Sequence, residues 1–208
     1  MTDPSAPGGP ADTEPSLCEL AAAERGLRAR LQSEAGLIVL TGGQTGVDSY
    51  AARAALAAGL SVHCVFPRGY RQEDGPLTAA RRHRLAGAVL HELPAESFRY
   101  RTWTCAYLAD AVLLIDPAGG SGCRETAHAA RRLGRPLLEP APTSRAAAQI
   151  ATWLSETSAR VLMVAGCRAS VLASKGKGRG IRTQLAAIMQ GARDYHGELV
   201  AARLPGSG

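Results

Sequence analysis

Between an apolar run and a helix-like stretch the chain reads Thr41-Gly42-Gly43-Gln44-Thr45-Gly46-Val47-Asp48. Glycines at such a junction admit positive φ and close backbone approach, so successive N–H groups and the next helix N-terminus can face an anion, typically a phosphate. On that reading Gly42, Gly43, Gln44, Thr45, Gly46 and Asp48 are ligand-binding candidates, and a glutamate at position 46 would block the anion while sparing the fold. The run is not a P-loop, because no Gly-Lys-Ser/Thr closes it, and it is not the G-x-G-x-x-G fingerprint. Where that fingerprint's ribose-binding acid would fall stand Pro67 and Arg68, which argues against NAD. An ordinary tight turn with Asp48 as a first-turn acid accounts for the same residues.

A second glycine turn, Gly119-Gly120-Ser121-Gly122-Cys123-Arg124-Glu125-Thr126, also separates an apolar run from a helical one. Two such turns at the carboxyl ends of parallel strands can converge on one crevice, so Gly119, Gly120, Ser121, Gly122, Cys123 and Glu125 join the candidates. Glu125 is expected in the first helical turn, either as a partner of the helix dipole or as a catalytic acid. Cys123 and His128 are five apart and fall on different helix faces, which argues against a nucleophile–base pair. Ser121 lacks the G-x-S-x-G frame of a hydrolase elbow. A third segment, Pro67 to Pro76, is dense in charge: Arg68 and Arg71 could grip a phosphate while Glu73 or Asp74 accepts from a ring N–H. A solvated, salt-bridged loop explains it as well. Tyr50, Tyr70 and Trp103 lie near these segments and could stack on a flat ring.

The elements that must position these residues follow from the pattern of apolar runs. Strands are expected at Leu37 to Leu40, Val62 to Phe66, Ala88 to Leu90, Ala111 to Ile115, Pro136 to Leu138 and Val161 to Ala165. Helices are expected at Val47 to Ala58, Phe98 to Ala109, Ser121 to Leu133, Ser144 to Glu156 and Gly180 to Ala192. Continuous rather than alternating apolar runs predict strands buried on both faces. The class is α/β, a Rossmann-like doubly wound, mainly parallel sheet with helices on both faces. Residues 1–15 read as a flexible leader before a single domain over 16–208. A peripheral helix from Ser16 to Ser33 should open it, on a Ser16-x-x-Glu19 capping box.

Composition narrows the partners. With 46% hydrophobic and 20% charged residues among 208, the chain is globular and close to the size of one domain. No apolar run reaches the ~18 residues of a membrane helix and the start carries no signal-peptide core, so a cytoplasmic protein is expected. Five scattered cysteines without a C-x-x-C pair predict neither a disulfide framework nor a metal site. Residues 37–208 carry 21 basic against 12 acidic side chains, favouring an anionic small molecule. Nucleic acid is the weaker reading, since aromatics make up only 4%.

Taken with Arg101-Thr102, the strand ending in Asp116, Arg135-Pro136 and Val164 to Ser170, these motifs resemble the molybdenum carrier family. That family comprises relatives of the molybdenum cofactor carrier protein within the wider group that includes the LOG (lysine decarboxylase-like) proteins. The resemblance spans residue 37 to about 190. It implies a Rossmann-like fold, homo-oligomers, and a phosphate-bearing, nucleotide-like ligand with the molybdenum cofactor as candidate, bound with help from Arg101 and without a direct metal site. The chain departs from the family where Cys105 replaces an Asn, Cys123 a Thr and Cys167 a Pro. LOG proteins, similar to nucleotide phosphoribohydrolases, place a glutamate where this chain has Thr126. Glu125 falls one residue early, a rotation of ~100° on a helix. A binding or carrier role therefore ranks first, an N-glycosidic hydrolase using Glu125 second, and a ligand-sensing module third.

Overall fold

The computed structural model describes residues 14–115, 120–140 and 146–201. Most of the expected leader, together with Asp116, Gly119 and Ser144, lies outside the described residues. The capping box forms, with the Glu19 backbone donating to Ser16 Oγ and the Glu19 carboxylate accepting from the Ser16 backbone. The helix it starts is not continuous to Ser33, however: α1 (Leu17–Ala23) ends at Glu24, where α2 (Arg25–Ser33) begins. Nor is the pair merely peripheral, because Leu20 and Leu31 are buried in the core.

The chain continues through β1 (Ile38–Thr41), α3 (Val47–Ala57) and β2 (Ser61–Phe66). A short 3-10 turn at Arg68–Tyr70 then leads to a two-stranded ribbon, β3 (Arg71–Gln72) and β4 (Gly75–Pro76). The segment expected as a loop is thus partly ordered. After it come α4 (Ala79–Arg84), which the apolar pattern did not reveal, β5 (Val89–Glu92), α5 (Phe98–Leu108) and β6 (Ala111–Ile115). The rest is α6 (Ser121–Arg132), β7 (Leu137–Leu138), α7 (Ala146–Thr157), β8 (Val161–Gly166), α8 (Ala169–Ser174), also unexpected, and α9 (Gly178–Ala201), longer than expected at both ends.

The main sheet has the order β5-β2-β1-β8-β6-β7, and every pairing in it is parallel. One helical layer joins α3, α7 and α9, and the other joins α5 and α6 with α1 reaching α5. The α7–α9 crossing is close because Gly191 has no side chain there; a Cβ would run into the Ala147 carbonyl. Strands β1 and β6 are buried along their whole length, as sheets covered on both faces require. Fully buried leucines such as Leu40, Leu113 and Leu162 each contribute roughly 1.5 to 3 kcal/mol of burial. Among the described residues no helix is long and apolar enough to cross a membrane.

A polar chain runs through the β2–β5 side of the sheet. His91 Nε2 lies 2.8 Å from His63 Nδ1, and His63 Nε2 lies 2.7 Å from Glu34 Oε1. Two neutral rings satisfy it, with His91 donating to His63 and His63 to Glu34. Burial, against the pull of Glu34, lowers the His63 pKa, while burial and the neighbouring His63 push His91 down to about 4. A histidine lowered on folding binds fewer protons in the native state. Its contribution is therefore fully present above the unfolded value of ~6.5 and is lost as pH falls toward 4. We expect urea-unfolding free energies to drop across that window, by at most ~1.4 kcal/mol per pH unit per histidine, and His91→Gln to flatten the drop. Parallel pH profiles for the two proteins would refute this.

Candidate functional site

Most of the first glycine turn is occupied by its own fold. Gly43 N–H donates to Thr41 Oγ1 (3.3 Å), Gln44 N–H to Asp48 Oδ2 (3.2 Å), Thr45 N–H to the Gln44 side-chain carbonyl (3.0 Å) and Val47 N–H to the Cys167 carbonyl (3.0 Å). Donors engaged in this way are not available to an anion. Gly46, at φ 78°, packs on the backbone that follows β8, and a Cβ there would collide with the Cys167 carbonyl and come within 2.6 Å of Ala169 N. A glutamate at position 46 would therefore disrupt the fold, contrary to the expectation from sequence.

The ribbon is clasped over this turn. Gln72 Nε2 donates to the Gly43 carbonyl (2.7 Å) and Glu73 N–H to Gln44 Oε1 (2.8 Å). The Glu73 carboxylate accepts from both the Thr45 and Ser170 hydroxyls. Burial alone would raise the pKa of Glu73, but the hydrogen bonds from Ser170 and Thr45 outweigh it and hold the carboxyl below its ordinary range. Asp74 forms a two-pronged pair with Arg81. Arg68 is exposed, and Arg71 faces Glu96 at 3.5 Å and the Phe98 ring.

Arg101, only 7% exposed, reaches from α5 into the same turn. Its Nη1 donates to the Gly42 carbonyl and lies 3.3 Å from Asp48 Oδ2, while its buried Nε finds no hydrogen-bond partner among the described residues. A Cβ on Gly42 would occupy the guanidinium's place. Burial pushes the Asp48 carboxyl above its usual range against the opposing charge of Arg101.

Beside this pair opens a cleft of about 360 Å³ at the carboxyl ends of β1, β8 and β6. The chain winds outward from β1 to β2 in one direction and from β6 to β7 in the other, so the cleft lies where parallel α/β sheets bind ligands. The second glycine turn forms one wall. Gly120 is the N-cap of α6, no side chain among the described residues caps the helix, and no acid sits in its first turn. Glu125 stands in the second turn rather than the first, accepting from Arg99 Nε (2.9 Å) and from the indole N–H of Trp103 (2.6 Å). Trp103 is thus a buried positioning group and not a stacking platform, and Tyr50 lines a separate, smaller pocket.

The cleft gathers Gln44, Asp48, Arg101, Gly120, Ser121, Gly122, Cys123 and Glu125 from the sequence candidates. Gly42, Gly43, Thr45, Gly46, Arg68, Arg71, Glu73 and Asp74 do not line it; Gly119 lies outside the described residues. Sequence reasoning missed Arg99, Met163, Cys167, Arg168 and Ser170. The available signal was the Val161 to Ser170 run itself, a strand followed by a polar turn, whose position between β1 and β6 only the topology reveals.

Removing one partner of a buried ion pair strands the other charge and typically costs ~3 to 5 kcal/mol. Arg101→Met should lower unfolding stability by about that much, and adding Asp48→Asn should recover part of the loss. Urea denaturation of wild type and the two variants decides it; a loss below ~1 kcal/mol for Arg101→Met, the scale of an exposed pair, would remove the pair from its structural role.

Comparison with known proteins agrees with this architecture. The Circularly permutated YpsA SLOG family matches residues 39–188. The crystal structure of a "putative molybdenum carrier protein" from Syntrophus aciditrophicus SB aligns with a TM-score of 0.62 at 23% identity, covering 78% of this chain and 98% of that one. At that identity the likeness speaks for the fold. No curated protein matches the chain. With the family matched over most of its length, from within β1 into α9, the chain belongs to the circularly permuted YpsA branch of the SLOG proteins.

Proposed function

We propose that the cleft binds a phosphate-bearing, nucleotide-like anion and that the protein is a binding or carrier protein, with the molybdenum cofactor as candidate cargo. One observation carries this reading: the N-terminus of α6, which no described side chain caps, and three arginines, Arg99, Arg101 and Arg168, line one cleft at the sheet's carboxyl edge. Helix N-termini favour anions through their unpaired N–H groups and dipole. Arginine forks suit phosphate oxygens. A volume of about 360 Å³ is at the lower end of the ~300 to 1,000 Å³ range of small-molecule sites. The Nε of Arg101, without a partner among the described residues, fits a site that awaits an acceptor. Ser121 and Gly122 of α6, with Arg168, would hold the phosphate, and Phe98 and Val171 supply apolar wall.

The hydrolase alternative would draw its carboxylate from Glu125. That side chain already accepts from Arg99 and Trp103 through one oxygen, an arrangement suited to fixing the wall of the cleft. The carrier reading is therefore preferred.

Calorimetric titration with nucleoside monophosphates and a pterin phosphate tests it. Wild type should bind at least one of them, and Arg168→Ala should weaken that binding by ~1.5 to 3 kcal/mol, the scale of a charge-assisted hydrogen bond. Arg68→Ala, altered outside the cleft, should bind as wild type does. Release of free base by pure wild type, abolished in Glu125→Gln, would promote the hydrolase instead.

A further inference from the structure

Two cysteines from distant parts of the chain meet at the cleft. Cys123 belongs to the first turn of α6 and Cys167 follows β8, yet their sulfurs lie 3.7 Å apart, and both residues line the cleft while being only 2% exposed. The other buried cysteines differ. Cys64 and Cys105 sit in the core against Thr41, where burial pushes each thiol up to about 12, as expected of inert packing groups. Neither of them lines the cleft.

We propose that Cys123 and Cys167 form a two-thiolate site for one thiophilic d10 metal ion, Zn(II) or Cu(I), at the floor of the cleft. The spacing is the first argument. Two metal–sulfur bonds of ~2.3 Å meeting at about 107° span ~3.7 Å, so the sulfurs already stand at the bite distance of a tetrahedral ion. The second is electrostatic, since a cysteine at a helix N-terminus has its thiolate favoured by the helix dipole. The third is the company of Met163, whose soft thioether borders the same cleft.

On binding, each thiol releases its proton to solvent while its sulfur donates an electron pair to the metal. The two-thiolate complex is neutral with Zn(II) and carries one negative charge with Cu(I). Among the described residues no group of three or more His, Cys, Asp or Glu could hold a metal, so the remaining coordination positions fall to Met163 or to a water or ligand in the cleft. The site does not depend on the phosphate-binding reading, because neither sulfur is needed to hold an anion.

The test uses the reduced, metal-stripped full chain, titrated with Zn(II) against a chromophoric chelator and, anaerobically, with Cu(I) against bicinchoninate. One equivalent of either ion should be retained, with affinity falling at least 100-fold in Cys123→Ser and in Cys167→Ser and unchanged in Cys18→Ser. X-ray absorption of the 1:1 wild-type complex should show at least two sulfurs at ~2.3 Å, a readout that needs no variant to fold. Failure of wild type to retain either ion, a shell of oxygen and nitrogen alone, or binding that disappears in Cys18→Ser would overturn the proposal. So would a pair that closes to a disulfide under mild oxidation while showing no metal affinity. Nucleotide titration of the same samples reports separately on the anion site.

Discussion

A guanidinium taken out of water must find acceptors where it lands, and Arg101 finds them in the turn after the first strand. The Gly42 carbonyl and the Asp48 carboxylate receive its Nη1 from opposite sides of that turn. The consequences spread outward. Gly42 has no side chain because the guanidinium fills that space. Asp48, in the first turn of α3, is buried beside a positive charge and its own helix dipole. Since α5 belongs to one helical layer and α3 to the other, the pair ties the layers together at the carboxyl edge of the sheet, where the cleft opens. Desolvation makes such a pair a weak source of net stability. Its effect is geometric, because any other placement of α5 would leave two buried charges unmatched.

This constraint divides labour between two turns that look alike in sequence. Both are rich in glycine and both join a parallel strand to a helix. The first uses its glycines to pack, with Gly46 against the backbone after β8 and Gly42 against Arg101, and most of its N–H groups go to internal acceptors. The second faces the cleft, and no side chain among the described residues caps α6 there. An anion would meet committed donors at the first and a helix N-terminus at the second.

The parallel sheet was legible because its physics is local. Strands buried on both faces are apolar at nearly every position, as Ile38 to Leu40 and Ala111 to Ile115 show, and where β2 buries a polar residue, His63, it finds partners in His91 and Glu34. Placing Val161–Gly166 between β1 and β6 depends on pairings between distant segments, Ile38 with Val161 and Ala111 with Leu162, to which a run of apolar residues gives no clue. For the same reason Cys167 and Arg168 were absent from the expected site although their strand was foreseen. Glycine content marks where a backbone can approach something closely, but the acceptors of Gln44, Thr45 and Val47 lie in side chains or in another loop. Glu73 read as a ligand contact because a carboxylate in a basic loop suggests one, whereas the hydroxyls of Thr45 and Ser170, 28 and 97 residues away, make it a clasp. The split of the first helix at Glu24 was equally hidden, as its composition stays helical throughout.

Charge within the cleft follows from these commitments. Asp48 is matched by Arg101 and Glu125 by Arg99, so two of the three lining arginines are already paired. Arg168 is exposed and makes none of the ion pairs found among the described residues, although its charge helps hold the Glu73 carboxyl below its ordinary range. The positive charge not yet neutralised thus lies at the mouth, together with the N-terminus of α6, while the inner pairs are fixed by burial. On the proposed reading, a cleft built this way would draw an anion in by its rim and leave its floor close to neutral. That suits a ligand with a charged phosphate at one end and a flat, weakly charged body at the other.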